Sequence, residues 1–263
     1  PGDAVVTSDG AYPTFNYHVL GFGGTLHKVP YREDHEDPEA LMSKAAEVGA
    51  KLVYLANPDN PMGTWHSAET ITAALKALPE GCLLVLDEAY IEFAPDGVAP
   101  AIDINDPRLI RMRTFSKGYG MAGARVGYAI GQHDLIRSFD KIRNHFGMNR
   151  AAQAGALAAL KDSDWLDSVR AQVASSRTSI DDIALKNGLS TLPSATNFVA
   201  VDCQQDGAFA QRVLTALIKQ GLFVRMPFVA PQNRCIRIST GTAENMQLLA
   251  KAVPIALQQA RQG

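Results

Sequence analysis

Four consecutive apolar residues, Leu83-Leu84-Val85-Leu86, run directly into Asp87. A strand without polar alternation is buried on both faces, and such strands belong to parallel sheets covered by helices. A carboxylate at the end of that strand is costly unless a positive or hydrogen-bonding group meets it. The plain alternative is an Asp that caps a following helix. This one run therefore excludes a half-exposed antiparallel sheet and marks Asp87 as a residue to explain.

The neighbouring segments continue the rhythm. Ala4 to Ser8 reads as a strand, and Pro13 to Phe22 as a helix with Pro in its first turn and Gly23-Gly24 at its end. Thr25 to Val29 is a strand, Pro38 to Val48 a helix and Lys51 to Ala56 a strand. Ser67 to Leu78 is a helix that Ser67 can cap. Leu109 to Arg113 and Val126 to Ile130 are further strands. This β-α-β-α order predicts an α/β fold with a mostly parallel sheet and helices on both faces.

From His133 to about Asn187 helical patterns dominate. Strands at Asn197 to Val201, Leu222 to Met226 and Cys235 to Ser239 then alternate with helices at Ala208 to Lys219 and Ala243 to Gln259. The change predicts a smaller C-terminal α+β domain over 161–263, after a large α/β domain over 1–160.

The chain of 263 residues carries 20% charged residues and a net charge of −2 without long runs, which argues against nucleic acid or a membrane surface as the main partner. Cys82, Cys203 and Cys235 lie apart in apolar runs, as buried free thiols do, with no metal-ligand spacing. A reducing, cytoplasmic location is the expectation.

Polar residues cluster just after the apolar strands, where open parallel sheets bind ligands. Ala56-Asn57-Pro58-Asp59-Asn60-Pro61-Met62-Gly63-Thr64 is a turn rigid enough to aim an Asn side chain, although such dipeptides are also ordinary turn signals. Asp87-Glu88-Ala89-Tyr90 follows the central strand. The segment from Arg113 through Thr114, Ser116, Lys117 and Arg125 to Gly127 crowds hydroxyls, glycines and cations between two strands. A lone loop lysine is usually a solvated charge. Here its neighbours allow close backbone approach, and the Arg fork suits a phosphate. Finally, Arg237 alternates with Ile236 and Ile238, so it faces away from them. It is either a solvated strand arginine or an anion clamp.

In this order the motifs resemble fold-type I pyridoxal-phosphate enzymes. The run Thr114-Phe115-Ser116-Lys117-Gly118-Tyr119-Gly120-Met121-Ala122-Gly123-Ala124-Arg125-Val126-Gly127-Tyr128 is most similar to the histidinol-phosphate aminotransferase family. The resemblance implies pyridoxal 5'-phosphate carried on Lys117, with Asp87 at the pyridine nitrogen. It implies Asn60 and Tyr90 at the phenolic oxygen, and Thr114, Ser116 and Arg125 at the phosphate. Tyr12, in Ala11-Tyr12-Pro13, matches the residue that stacks on the ring. Arg237 and Arg225 would meet the anionic substrate, and Asn197 would either face it or simply begin a strand. Asp59 and Met62 stand where the family often has Asn and Thr.

The implied reaction is amino transfer from an anionic amine, such as histidinol phosphate or an aromatic amino acid, to 2-oxoglutarate. A decarboxylase of a phosphorylated amino acid would use the same lysine and aspartate, and a non-catalytic relative is the third reading. The resemblance further implies a homodimer and an N-terminal segment ahead of Pro1, with an arm over the site and a helix end that cradles the cofactor phosphate.

Overall fold

The computed structural model describes residues 1–262. In chain order its elements begin with β1 (Ala4–Ser8), α1 (Pro13–Gly21), β2 (Thr25–Val29), α2 (Pro38–Val48), β3 (Leu52–Ala56) and α3 (Ala68–Ala77). Then come β4 (Leu83–Asp87), β5 (Leu109–Thr114), β6 (Gly127–Gly131) and α4 (His133–Arg137). The remainder is α5 (Arg150–Lys161), α6 (Ser163–Lys186), β7 (Ser190–Thr191), β8 (Phe198–Asp202), α7 (Gly207–Lys219), β9 (Cys235–Ser239) and α8 (Ala243–Gln262).

The first six strands form one sheet in the order β2-β1-β3-β4-β5-β6. All its neighbours are parallel except β5 and β6, which run antiparallel with Thr114 opposite Gly127. Strand β4 lies in the interior of the sheet, as its unbroken apolar run requires. Leu84 and Leu86 are buried with Val6, Val53, Leu55 and Leu41 of α2 in one core. At about 25 cal/mol per Å² of buried apolar surface, such side chains supply the main force holding helix to sheet.

Side chains end the helices as their sequences suggest. Asp37 accepts from Ala40 N to cap α2, and Gly49 closes the same helix in the left-handed region at φ 61°. Ser67 accepts from Thr70 N at the start of α3.

A second, antiparallel sheet has the order β7-β8-β9. Its core joins Val199, Val201 and Ile236 to Phe209, Val213 and Leu217 of α7, Ile180 of α6 and Ala256 of α8. The three cysteines are buried free thiols. No helix among the described residues is long and apolar enough to cross a membrane.

One expected strand is absent. Leu222 to Met226 is irregular and touches β9 only through a single antiparallel bridge between Arg225 and Arg237. Pro227 follows at once and cannot donate to a ladder, so the pairing does not extend. The other strands and the long helices fall within a residue or a few of their expected limits.

Candidate active site

The polar residues converge because of the sheet order. The carboxyl ends of β1, β3, β4 and β5 share one edge, and they lead respectively to Tyr12, to the turn holding Asn60, to Asp87 and to Lys117. Because β6 runs antiparallel to β5, its amino end returns to that edge and brings Arg125 with it.

Asp87 is held on both oxygens. Tyr54 Oη donates to Oδ2 at 2.6 Å, and the Ala89 N–H donates to Oδ1 at 2.9 Å. Burial pushes this carboxyl above the ordinary range, while those two hydrogen bonds and the charge of Lys117 pull the other way. The Ala89 contact is a local cap of the kind the sequence allowed, but Tyr54 comes from the adjacent strand and makes Asp87 part of a built site.

Lys117 Nζ lies 5.1 Å from the centre of the Tyr90 ring. Burial lowers the lysine pKa, and Arg237 and Arg125 lower it further, against the opposing influence of Tyr12 and Asp87. A lowered pKa favours the neutral amine, which is the nucleophilic form. Tyr90 is buried, sits edge-on to Phe198 at 5.4 Å and accepts a hydrogen bond from Asn60 Nδ2 at 3.3 Å. Burial also raises the Tyr90 phenol well above its usual value.

Arg125 adopts a left-handed conformation at φ 54° and directs Nη1 to Ser116 Oγ at 3.4 Å and to the Ala122 carbonyl at 2.8 Å. Thr114 Oγ1 accepts from Ser116 N at 3.0 Å. These three residues therefore form one connected group beside Lys117.

Arg237 bridges the two sheets. Its guanidinium stacks over Phe198 at 4.8 Å and donates through Nη1 to Asn60 Oδ1, while its buried Nε has no partner. Burial, joined by repulsion from Arg225, lowers its pKa. A buried N–H left without an acceptor costs free energy and suits an anion.

A cavity of about 610 Å³ opens beside this point, with Tyr12, Asn60, Arg225 and Arg237 in its wall, together with Tyr17, Leu20, Phe223 and Phe228. Lys117, Asp87 and Tyr90 are not part of that wall; Asn60 links them to it through Tyr90 and Arg237. Tyr12 is 47% exposed. The Arg225 guanidinium rests over Phe223 at 5.4 Å. Asn197 contributes its main-chain carbonyl, which accepts from Thr240 N and Oγ1, and it is not in the cavity wall.

Sequence reasoning missed Tyr54 and Phe198. Each sits in an apolar strand where an aromatic residue reads as core, and only the register between strands exposes its role. It also missed the floor beneath the site, where buried Glu88 pairs with Arg111 at 2.6 Å and Arg113 at 2.8 Å.

The family model for aminotransferase class I and II matches residues 1–253. Histidinol-phosphate aminotransferase 2 of Ralstonia nicotianae is 36% identical over 263 residues, covering 99% of this chain and 70% of the relative. The crystal structure of histidinol-phosphate aminotransferase from Sinorhizobium meliloti in complex with pyridoxal-5'-phosphate is 54% identical, with a TM-score of 0.95, over 98% of this chain and 71% of that one. A tetra mutant of Thermus thermophilus aspartate aminotransferase, 20% identical with a TM-score of 0.84 over 98% of this chain and 74% of that one, shares the fold. These matches run over nearly the whole chain, and the chain belongs to the aminotransferase class I and II family.

Proposed function

We propose that the chain is a pyridoxal-phosphate-dependent aminotransferase, moving an amino group between an anionic amine and 2-oxoglutarate, with histidinol phosphate or an aromatic amino acid as the amine. The observation that carries this reading is the meeting of Lys117, Asp87 and Tyr90 at one sheet edge, with Arg125 beside them and Arg237 one contact away through Asn60.

The residues fit the cofactor by chemistry. The amine of Lys117 has a lowered pKa, Asp87 is oriented on both oxygens, and Arg125 with Ser116 and Thr114 forms a cationic, hydroxyl-rich turn suited to a phosphate. Asn60 and Tyr90 would face its phenolic oxygen, and Tyr12 would cover its ring. When bound, pyridoxal phosphate supplies an electron sink for the bond cleaved at the substrate α-carbon.

The protein supplies the rest. Asp87 keeps a proton on the ring nitrogen by ion pairing. The Lys117 amine, whose pKa burial lowers, would take the α-proton and return it as a general acid–base. Arg237 binds the anionic end of the substrate and fixes its orientation. Tyr17, Phe223 and Phe228 in the cavity wall, all exposed, offer contact to an apolar or aromatic side chain, while Arg225 would meet a second negative charge.

In this reading residues 1–160 form the cofactor-binding domain and 161–263 the small domain, and the enzyme works as a homodimer in the cytoplasm. The test is glutamate formation from 2-oxoglutarate with histidinol phosphate as donor. Conversion with a matched loss of donor supports transfer. Release of carbon dioxide from a phosphorylated amino acid without consumption of 2-oxoglutarate would replace it with the decarboxylase reading.

A further inference from the structure

Behind the turn that carries Asn60 lie two carboxyls that the reaction does not use. Glu36 is 1% exposed and Asp59 is 2% exposed, and their side chains meet. Glu36 accepts from Ser8 Oγ at 2.7 Å and from Ala56 N at 3.2 Å. Asp59 accepts from Tyr31 Oη at 2.9 Å and from Met62 N at 3.0 Å. Among the described residues, the neighbouring ion pairs engage Asp37 and Asp34, and no basic side chain pairs with Glu36 or Asp59.

Two buried acids in contact without a cation cannot both ionise, because their repulsion and desolvation add. A single retained proton turns the repulsion into a short, charge-assisted hydrogen bond. The pair also touches both sides of the turn. Glu36 bonds Ala56 just before it, and its main-chain carbonyl meets His66 Nε2 at 2.7 Å beyond it. The Asp59 carboxyl accepts from Met62 N within it, and the Asp59 main-chain carbonyl accepts from Gly63 N. Asn60 lies between these anchors and reaches Tyr90 and Arg237.

We propose that Glu36 and Asp59 are positioning residues whose carboxyls share one proton, and that this hydrogen bond locks the turn so that Asn60 presents its amide to Tyr90 and Arg237. The link to catalysis rests on the cofactor reading above; the shared proton does not.

Burial pushes Glu36 well above the usual carboxyl range, with Asp59 adding to the effect, and burial pushes Asp59 up to about 6 against its hydrogen bonds from Met62 and Tyr31. The other titratable groups around the pair supply little compensating charge. Tyr31 and Tyr54 are raised by burial and stay neutral, His66 is lowered by burial, and Asp87 is a further carboxyl raised by burial. Arg237 senses Asp59 but is bonded to Asn60. Across the window from the ordinary carboxyl range up to the raised Glu36 value, the folded chain binds more protons than the unfolded chain. Stability therefore falls as pH rises through that window.

The experiment compares wild type, Glu36→Gln and Glu36→Ala, with Asp59→Asn as the reciprocal variant. Melting is followed against pH, and pyridoxal phosphate binding is followed by its visible absorption at neutral pH. Glu36→Gln supplies a permanent donor to Asp59, so its melting slope between acid and neutral pH is shallower than that of wild type and its affinity stays close to that of wild type. Glu36→Ala opens the pair and weakens affinity about tenfold, the loss of one charge-assisted hydrogen bond. Asp59→Asn, like Glu36→Gln, flattens the slope.

Superimposable melting profiles for wild type, Glu36→Gln and Asp59→Asn would overturn the shared proton. Undiminished affinity in Glu36→Ala would overturn the positioning role. Absence of the visible band from the wild type would overturn the cofactor reading and the role of the pair in it, while the melting slopes would still decide the proton.

Discussion

Tyr54 donates its phenolic hydrogen to Asp87 Oδ2 across 2.6 Å, so the carboxylate that ends β4 is oriented from β3. Phe15 stacks on the Tyr54 ring at 4.5 Å and holds it in place. This bond works against the effect of burial on Asp87. In Tyr54→Phe the Asp87 pKa rises further, since the desolvated carboxylate loses a donor. The acid limb of pyridoxal phosphate binding then moves to higher pH, and affinity at neutral pH drops about tenfold. Spectral titration of the cofactor at several pH values reads both effects, and an unshifted limb would separate Tyr54 from the function of Asp87.

Gly118 lies next to Lys117 and close against Glu92. A Cβ at Gly118 would meet Glu92 Cβ at 2.9 Å and Leu166 Cδ1 at 3.2 Å. The first contact is too short for a real side chain and involves an atom with no freedom to swing away. Gly118→Ala therefore displaces the turn that aims the lysine. A shift on the order of 1 Å costs roughly 100-fold in rate, so kcat/KM falls by about that factor. Rates matching wild type would show that the turn absorbs the added methyl group.

Arg237 combines a stacked guanidinium with a hydrogen bond to Asn60 and one unpartnered N–H. Lysine keeps the charge but loses the planar fork and the stacking. Arg237→Lys is expected to raise KM for the anionic amine about tenfold, and Arg237→Ala to cost about 2–5 kcal/mol of substrate binding. Steady-state kinetics with donors of differing charge tests this; an uncharged amine loses much less.

Beneath the site, Glu88 joins Arg111 and Arg113, and both Glu88 and Arg111 are almost wholly buried. Glu88→Ala leaves a buried guanidinium without its partner. The expected loss of folding stability is about 3–5 kcal/mol, measurable by chemical denaturation. Glu88→Gln retains hydrogen-bond acceptance and should lose less. Equal stability of Glu88→Ala and wild type would mean that Arg111 is satisfied by its bonds to the carbonyls of Pro100 and Ala101.

Much of this architecture was legible because it rests on local rules. The apolar run at Leu83 to Leu86 pointed to burial on both faces; the structure places β4 inside a largely parallel sheet, with Leu84 and Leu86 buried and Leu83 and Val85 half-buried. The Ser67 cap followed from side-chain chemistry. The expected strand at Leu222 to Met226 failed because strand propensity says nothing about whether a partner edge is available, and only Arg225 finds one. Asn60, Asp87, Tyr90, Lys117 and Arg125 were recognisable through motif order, but Tyr54, Phe198 and Glu36 were not. Their importance depends on which strand or loop faces them across the sheet, and a local sequence pattern does not contain that information.

The central claim is that Lys117 carries pyridoxal phosphate among Asp87, Tyr90 and Arg125. Its most direct test is the absorption spectrum of the purified chain mixed with pyridoxal phosphate, recorded for wild type and Lys117→Ala. The account predicts a visible band of lysine-bound cofactor in the wild type that vanishes in the variant. An identical band in both proteins, or none in either, would contradict it.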